Sequence, residues 1–148
     1  MKRSTKVALS VTGLSLILIV VGAIAVAGYM FYSAKVRNEN ARVAGEEFGK
    51  TSDSRGCVDE SVRQFVEYKE TGFLIRMEQF KIGHFTTGCL GTAKPTVDFC
   101  KGVPKNAFLD SLKWTVAQCE AAGVNKDGPC NEIFKTVVVY CSTKAGGK

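Results

Sequence analysis

The sequence predicts a mainly α-helical protein, in which an N-terminal transmembrane helix is followed by a small helical domain stapled by disulfide bonds. Three observations predict this class. Residues 7–34 contain no charged side chain, all six cysteines of the 148-residue chain follow that run, and apolar residues beyond it recur at helical spacing. The remaining length supports one domain and excludes a large catalytic scaffold such as a (β/α)8 barrel, which needs about 250 residues.

The N-terminal element is predicted to be an uncleaved signal anchor. Residues 1–6 form a cytoplasmic basic flank with three bases and no acid, and residues 7–34 are long enough to cross about 30 Å of hydrocarbon as a helix. The alternative is a secretory signal peptide, because a small-x-small cleavage pattern ends at Ala27. We favour the anchor because apolar sequence continues beyond Ala27 to Tyr32, where a signal peptide has normally become polar.

The cysteines indicate the compartment. Their even number and their spacing without any C-x-x-C pair favour three structural disulfides over a zinc, haem or thiol-redox site, so no metal and no cofactor is predicted. Disulfides persist in an oxidising compartment. The chain is therefore predicted to cross the cytoplasmic (inner) membrane once, with its N-terminus inside and its C-terminal domain extracytoplasmic, or periplasmic. The single histidine, His84, is interpreted as a surface or packing residue.

The first part of the exported region is predicted to form a helical hairpin. Residues 35–56 are polar and predict a stalk and hinge, and the disulfide-rich domain is predicted over residues 57–141. Apolar residues at helical spacing predict two helices, over residues 59–70 and 73–82. The glycine-dotted residues 83–95 predict an irregular loop, which lacks the G-K-S/T ending of a phosphate-binding loop.

The second part predicts another hairpin. Its first helix opens at Pro104 and stops at Gly123, and its second opens at Pro129. The buried face of the first is predicted to consist of Phe108, Leu112, Val116 and Cys119, with Leu109 and Thr115 beside them. Residues 135–141 are rich in β-branched side chains, so a C-terminal strand and an α+β fold are the alternative. Residues 142–148 predict a disordered tail.

Two antiparallel hairpins predict a disulfide pairing. The open ends of the first hairpin meet at two cysteines, the ends of the second hairpin bring two more together, and the last two are left to pair. The predicted bridges are Cys57–Cys89, Cys100–Cys141 and Cys119–Cys130.

The sequence favours a non-enzymatic interaction protein. Carboxylates lie beside bases on predicted helices, as in a solvated charged face, and no nucleophile motif appears. The net charge is +6, but the bases are scattered, so nucleic-acid binding is not expected. We expect a membrane-anchored module, an accessory subunit of an envelope assembly, with an unidentified protein partner. A secreted inhibitor or toxin released after Ala27 is the alternative, and a thiol-disulfide enzyme is less favoured. Trp114, which the helical period places away from the apolar face, is the predicted partner contact; the alternative is that it packs under a loop or on the first hairpin.

Overall fold

The computed structural model of the chain describes residues 3–69, 75–105, 108–124 and 130–145. These residues form five α-helices and contain no β-strand, as the predicted fold class requires. The helices are α1 (Arg3–Gly49), α2 (Ser54–Lys69), α3 (Ile75–Thr92), α4 (Phe108–Ala121) and α5 (Cys130–Ala145). The chain divides into two compact units, Met1–Val36 and Arg37–Lys148.

The first unit consists of the N-terminal part of α1. Every side chain from Leu16 to Tyr32 is exposed, and nearly all of them are apolar. Within Leu16–Gly49 the helix is long and apolar enough to cross a membrane. Such a surface is unfavourable in water and favourable in hydrocarbon, because burial of apolar area from water stabilises by roughly 25 cal/mol per Å².

The second unit contains the two predicted hairpins. α2 packs on α3 and α4 packs on α5, while α3 and α5 pack against each other and join the hairpins. The core includes large side chains from three of these helices, among them Phe65, Ile82, Leu90 and Ile133, which are at most 4 % exposed. A buried polar contact also joins α2 and α3, where the hydroxyl groups of Ser61 and Thr86 lie 2.8 Å apart.

The first hairpin is longer than predicted. α2 begins at Ser54 and α3 continues through Thr92, so most of the predicted irregular loop at residues 83–95 is helical. The predicted loop was wrong because the glycines of this segment were interpreted as ends of a helix, whereas they lie inside α3. Tertiary packing overrides the roughly 1 kcal/mol helical cost of each glycine. Residues 70–74, which include the predicted turn, lie outside the described residues.

The glycines allow α1 and α3 to approach at backbone distance. A Cβ atom built on Gly45 of α1 would lie 2.1 Å from the carbonyl oxygen of Phe85, and one built on Gly88 of α3 would lie 2.1 Å from that of Arg42. Across the same crossing the Thr92 hydroxyl donates a hydrogen bond to the Glu46 carbonyl at 2.9 Å. Residues 37–49 are therefore packed into the second unit, whereas the sequence assigned residues 35–56 to a stalk and hinge and began the domain at residue 57.

The connection between α1 and α2 is short and tied down. The Ser54 amide donates to the Lys94 carbonyl at 3.0 Å, and the Lys94 amide donates to the Ser52 carbonyl at 3.1 Å. The Asp53 carboxylate accepts a hydrogen bond from the Gly56 amide at 2.8 Å, which caps the first turn of α2. These bonds fix the start of α2 to the segment that follows α3.

The C-terminal segment is helical rather than extended. α5 runs over Cys130–Ala145, so the alternative strand at residues 135–141 was wrong. Its buried side chains recur at helical spacing, as in Ile133, Phe134 and Val137, and this packing outweighs the β propensity of the valines. The helix also continues three residues beyond Ser142, the first residue of the predicted disordered tail. The Ser142 hydroxyl donates to the Lys105 carbonyl at 3.2 Å.

Candidate functional site

All six cysteines are paired, and the structure contains the bridges in the predicted pairing. Cys57–Cys89 joins α2 to α3, Cys119–Cys130 joins α4 to α5, and Cys100–Cys141 joins the segment before α4 to α5. Their Cα–Cα distances are 5.7, 5.9 and 5.4 Å, within the ordinary range for disulfides. The pairing agrees although the helix boundaries differ, because Cys57 and Cys89 lie at the same end of an antiparallel hairpin whatever its length.

The structure confirms the predicted buried face of α4 at Thr115 and Cys119 but not at its N-terminal end. Phe108 and Leu109, which the sequence placed in or beside the core, are 78 % and 67 % exposed. Trp114 is instead half-buried, and its ring meets that of Phe134 edge-to-face with centroids 5.9 Å apart. Trp114 therefore packs inside the second hairpin, and not on the first hairpin as the alternative to a partner contact had it. The C-terminal part of α4, with Trp114, Thr115 and Cys119, is the part that meets the core.

The N-terminal part of α4 forms an exposed apolar face with α5. Its four apolar residues line a groove of about 300 Å³, together with Ser111, Thr115 and Lys135. We call this surface the α4–α5 face, and define it by Phe108, Leu112, Val138 and Val139. Val139 is 62 % exposed and Leu112 is 37 % exposed. Large apolar side chains grouped around a groove are typical of surfaces that bind another molecule.

The α4–α5 face was not found from the sequence, although a signal was present. Apolar residues of α4 cover more than one stripe, since Leu109 and Trp114 point in different directions on a helix. One short helix packed on a single neighbour cannot bury both. The sequence alone does not show which of these residues is buried in the core, because Trp114 and Leu112 are both strongly apolar.

Several ionisable groups form ion pairs along single helices. On α2 the Arg63 guanidinium contacts Glu60 at 2.7 Å and Glu67 at 3.3 Å. The hydrogen bond from Arg63 lowers the pKa of Glu60 below its ordinary value of 4.5, although partial burial of this carboxylate acts in the opposite direction. On α1 Arg42 pairs with Glu39 and Glu46, and the hydrogen bond to Glu39 is the main reason why the pKa of Arg42 is raised. These pairs give Glu39, Glu46, Glu60 and Glu67 a structural role.

Histidine and metal-ligating groups are dispersed in the described residues. His84 lies exposed on α3. Among the described residues, no group of three or more His, Cys, Asp or Glu side chains is placed so that it could hold a metal ion. With every sulfur in a disulfide, the cysteines offer no thiolate ligand or nucleophile.

Comparison with known proteins gives no relative: no protein-family model, curated protein sequence or solved structure matches the chain. The functional argument therefore rests on the residues and their geometry.

Proposed function

We propose that the protein is a non-enzymatic, single-pass membrane-anchored module that holds a disulfide-stabilised helical domain outside the cytoplasm and binds a partner protein there. The observation that carries this proposal is the sequence of elements in one chain. A helix apolar enough to cross a membrane runs directly into a unit closed by three disulfides. Disulfides favour the oxidising side of the membrane, and the basic flank before the helix favours the cytoplasmic side.

Retention of the anchor is supported by α1 itself. The helix passes through Ala27 without interruption, and its continuation supplies residues 37–49 to the second unit. Cleavage after Ala27 would leave an exposed apolar stretch, which includes Phe31 at 80 % exposure, at the new N-terminus. A released inhibitor or toxin would carry that stretch into water, and this disfavours the secreted alternative.

The α4–α5 face supports the interaction part of the proposal. Phe108 and Val139 of this face remain more than 60 % exposed, and so does Leu109, which follows Phe108 in the chain. Exposed apolar groups of this size contribute nothing to the stability of the isolated domain. They stabilise an assembly in which a partner covers them. An accessory subunit of an envelope assembly is the role that fits both the tether and this face.

Site-directed photocrosslinking in intact cells tests the proposal. A photoreactive residue at Leu109 is expected to capture one partner protein, whereas the same residue at Val97, which is 83 % exposed in the segment between α3 and α4, serves as the matched control. Val139→Asp should abolish the Leu109 crosslink and leave the melting temperature within a few degrees of wild type. External protease should digest the second unit in right-side-out membranes. Protection from that protease, or equal crosslinking from Leu109 and Val97, would contradict the proposal.

A further inference from the structure

A second groove, on a different surface from the α4–α5 face, carries positive charge. It lies between the segment that follows α3 and the C-terminal part of α5, and has a volume of about 420 Å³. We call it the lysine groove. Its chemically distinctive lining residues are Lys101, Lys105, Lys144, Asp98, Phe99 and Tyr140. This volume is within the roughly 300–1,000 Å³ that is common for sites of small ligands.

Several described bases, among them Lys94 and Lys113, form no salt bridge, but the three lysines of the groove are distinguished by sharing one concave surface. Arg42, Lys50, Arg63 and Lys135 each form a salt bridge with an acid three or four residues away. Within the described part of the chain, Lys101, Lys105 and Lys144 form none. Three cations thus line one concave surface without a salt bridge to a described acid, an arrangement that attracts an anion.

The frame of the groove is rigid. The Cys100–Cys141 disulfide places Lys101 one residue after one bridged cysteine and Lys144 three residues after the other. Ser142 donates a hydrogen bond to the carbonyl of Lys105, which fixes the third lysine to the same helix. A site held in this way loses less conformational entropy when it binds than a mobile loop does.

The backbone around Asp98 forms a turn in the wall of the groove. Asp98 has a φ of 59°, in the left-handed region that few residues other than glycine adopt. Its carbonyl accepts a hydrogen bond from the Lys101 amide at 2.9 Å, which closes a turn in the wall of the groove. The carboxylate offsets part of the lysine charge, so the three lysines and Asp98 leave a net charge of +2.

We propose that the lysine groove binds a phosphate monoester whose organic part rests against the aromatic wall. A phosphate monoester carries a charge of about −1.5 to −2 near neutral pH, which matches the groove better than a single carboxylate does. Phe99 and Tyr140 supply the apolar wall, with ring centroids 6.1 Å apart. Lys144 lies over the Tyr140 ring at 5.7 Å, so its ammonium group stands at the boundary between the charged and the apolar part.

Binding of phenyl phosphate to the full-length protein in phosphatidylcholine nanodiscs tests the site. Calorimetric titration should show binding that strengthens as pH rises through about 6, where the phosphate loses its second proton. Lys101→Gln, Lys105→Gln and Lys144→Gln should each weaken it by about 2- to 5-fold, as expected for exposed charges, and the triple variant by at least about 10-fold. Lys113→Gln, an exposed lysine of α4 outside the groove, is the matched control and should change nothing.

Asp98→Asn separates a binding effect from a folding effect. It removes the only negative charge of the lining and keeps a residue that tolerates the left-handed conformation, so phenyl phosphate should bind more tightly. Tighter binding cannot result from partial unfolding. Unchanged affinity in the triple lysine variant, weaker binding by Asp98→Asn, or equal binding of uncharged phenol would overturn the proposal.

A further arm identifies the source of the ester. Phosphatidic acid in the nanodisc presents the same phosphate monoester on a lipid. If it abolishes binding of phenyl phosphate, the ligand is a lipid headgroup; if binding persists, the ligand is a soluble ester. Either result supports a phosphate monoester site, and neither depends on whether the α4–α5 face binds a protein.

Discussion

The crossing of α1 and α3 gives the sharpest structural prediction, because one helix offers both the test position and its control. Gly88→Ala would place a methyl group 2.1 Å from the carbonyl oxygen of Arg42 and 3.0 Å from its carbonyl carbon. Both atoms belong to the backbone, so no side-chain rotation relieves the overlap and the helices must separate by about 1 Å to reach ordinary contact distance.

The cost of that separation follows from three effects. Overpacking of this kind costs about 1–3 kcal/mol, and the upper end applies where backbone must move. Loss of the hydrogen bond from Thr92 to the Glu46 carbonyl adds about 1 kcal/mol. The better helix propensity of alanine returns about 1 kcal/mol. Gly88→Ala should therefore destabilise the second unit by about 3 kcal/mol.

Gly91→Ala is the matched control, since it makes the same substitution on α3 three residues away. No atom lies within 4 Å of the added methyl group, so the propensity gain of about 1 kcal/mol should appear as higher stability. Guanidinium unfolding of the full-length protein, followed by the fluorescence of Trp114, measures the second unit without interference from the apolar part of α1. Equal effects of the two substitutions, in either direction, would refute the close crossing.

Three further predictions concern the bridges, a surface carboxylate and the histidine. Replacing both cysteines of Cys100–Cys141 by serine should destabilise the domain by about 1 kcal/mol more than the same change at Cys119–Cys130. The reason is that the two bridges close loops of 41 and 11 residues, and thermal unfolding of the two variants measures the difference. Since folding lowers the pKa of Glu60, its stabilising contribution is present above about pH 4.5 and is lost as pH falls through the pKa of the folded state. Melting temperatures of wild type and Glu60→Gln should therefore converge at low pH, and a constant difference from pH 7 to pH 3 would be the wrong result. His84→Ala should change stability by less than about 0.5 kcal/mol and still complement a deletion, and a folded variant that fails to do so would point to an enzyme.

The helical class and the disulfide pairing were predictable because they depend on long-range regularities. The apolar face of α5 recurs over about three turns, and Gly123 follows the end of α4 with a φ of 70°, as a C-terminal glycine should. Such signals average over many residues and tolerate errors of several residues in each boundary. The pairing of Cys57 with Cys89 therefore followed even though α3 ends ten residues beyond the predicted helix, which ended at residue 82.

The features that were missed depend on contacts between distant segments. Glycine is usually a sign of a loop or turn in a sequence. Only the close approach of α1 shows why Gly88 is needed inside a helix. The two sides of α4 are similarly apolar, and Phe134 of α5 determines that Trp114 faces inward. The lysine groove had a signal in the predicted pairing, since a Cys100–Cys141 bridge brings Lys101 near Lys144. Only the structure shows that Lys105 joins them and that none of the three lysines forms a salt bridge within the described residues.

The central claim is that an intact anchor carries a fully disulfide-bonded domain, and intact mass spectrometry of the protein extracted from native membranes tests it most directly. The account predicts a chain of 16.0 kDa that takes up no alkylating reagent under denaturing conditions until it is reduced, and then takes up six equivalents. A chain that begins at Gly28 and is recovered in the soluble exported fraction, or alkylation of any cysteine before reduction, would contradict it.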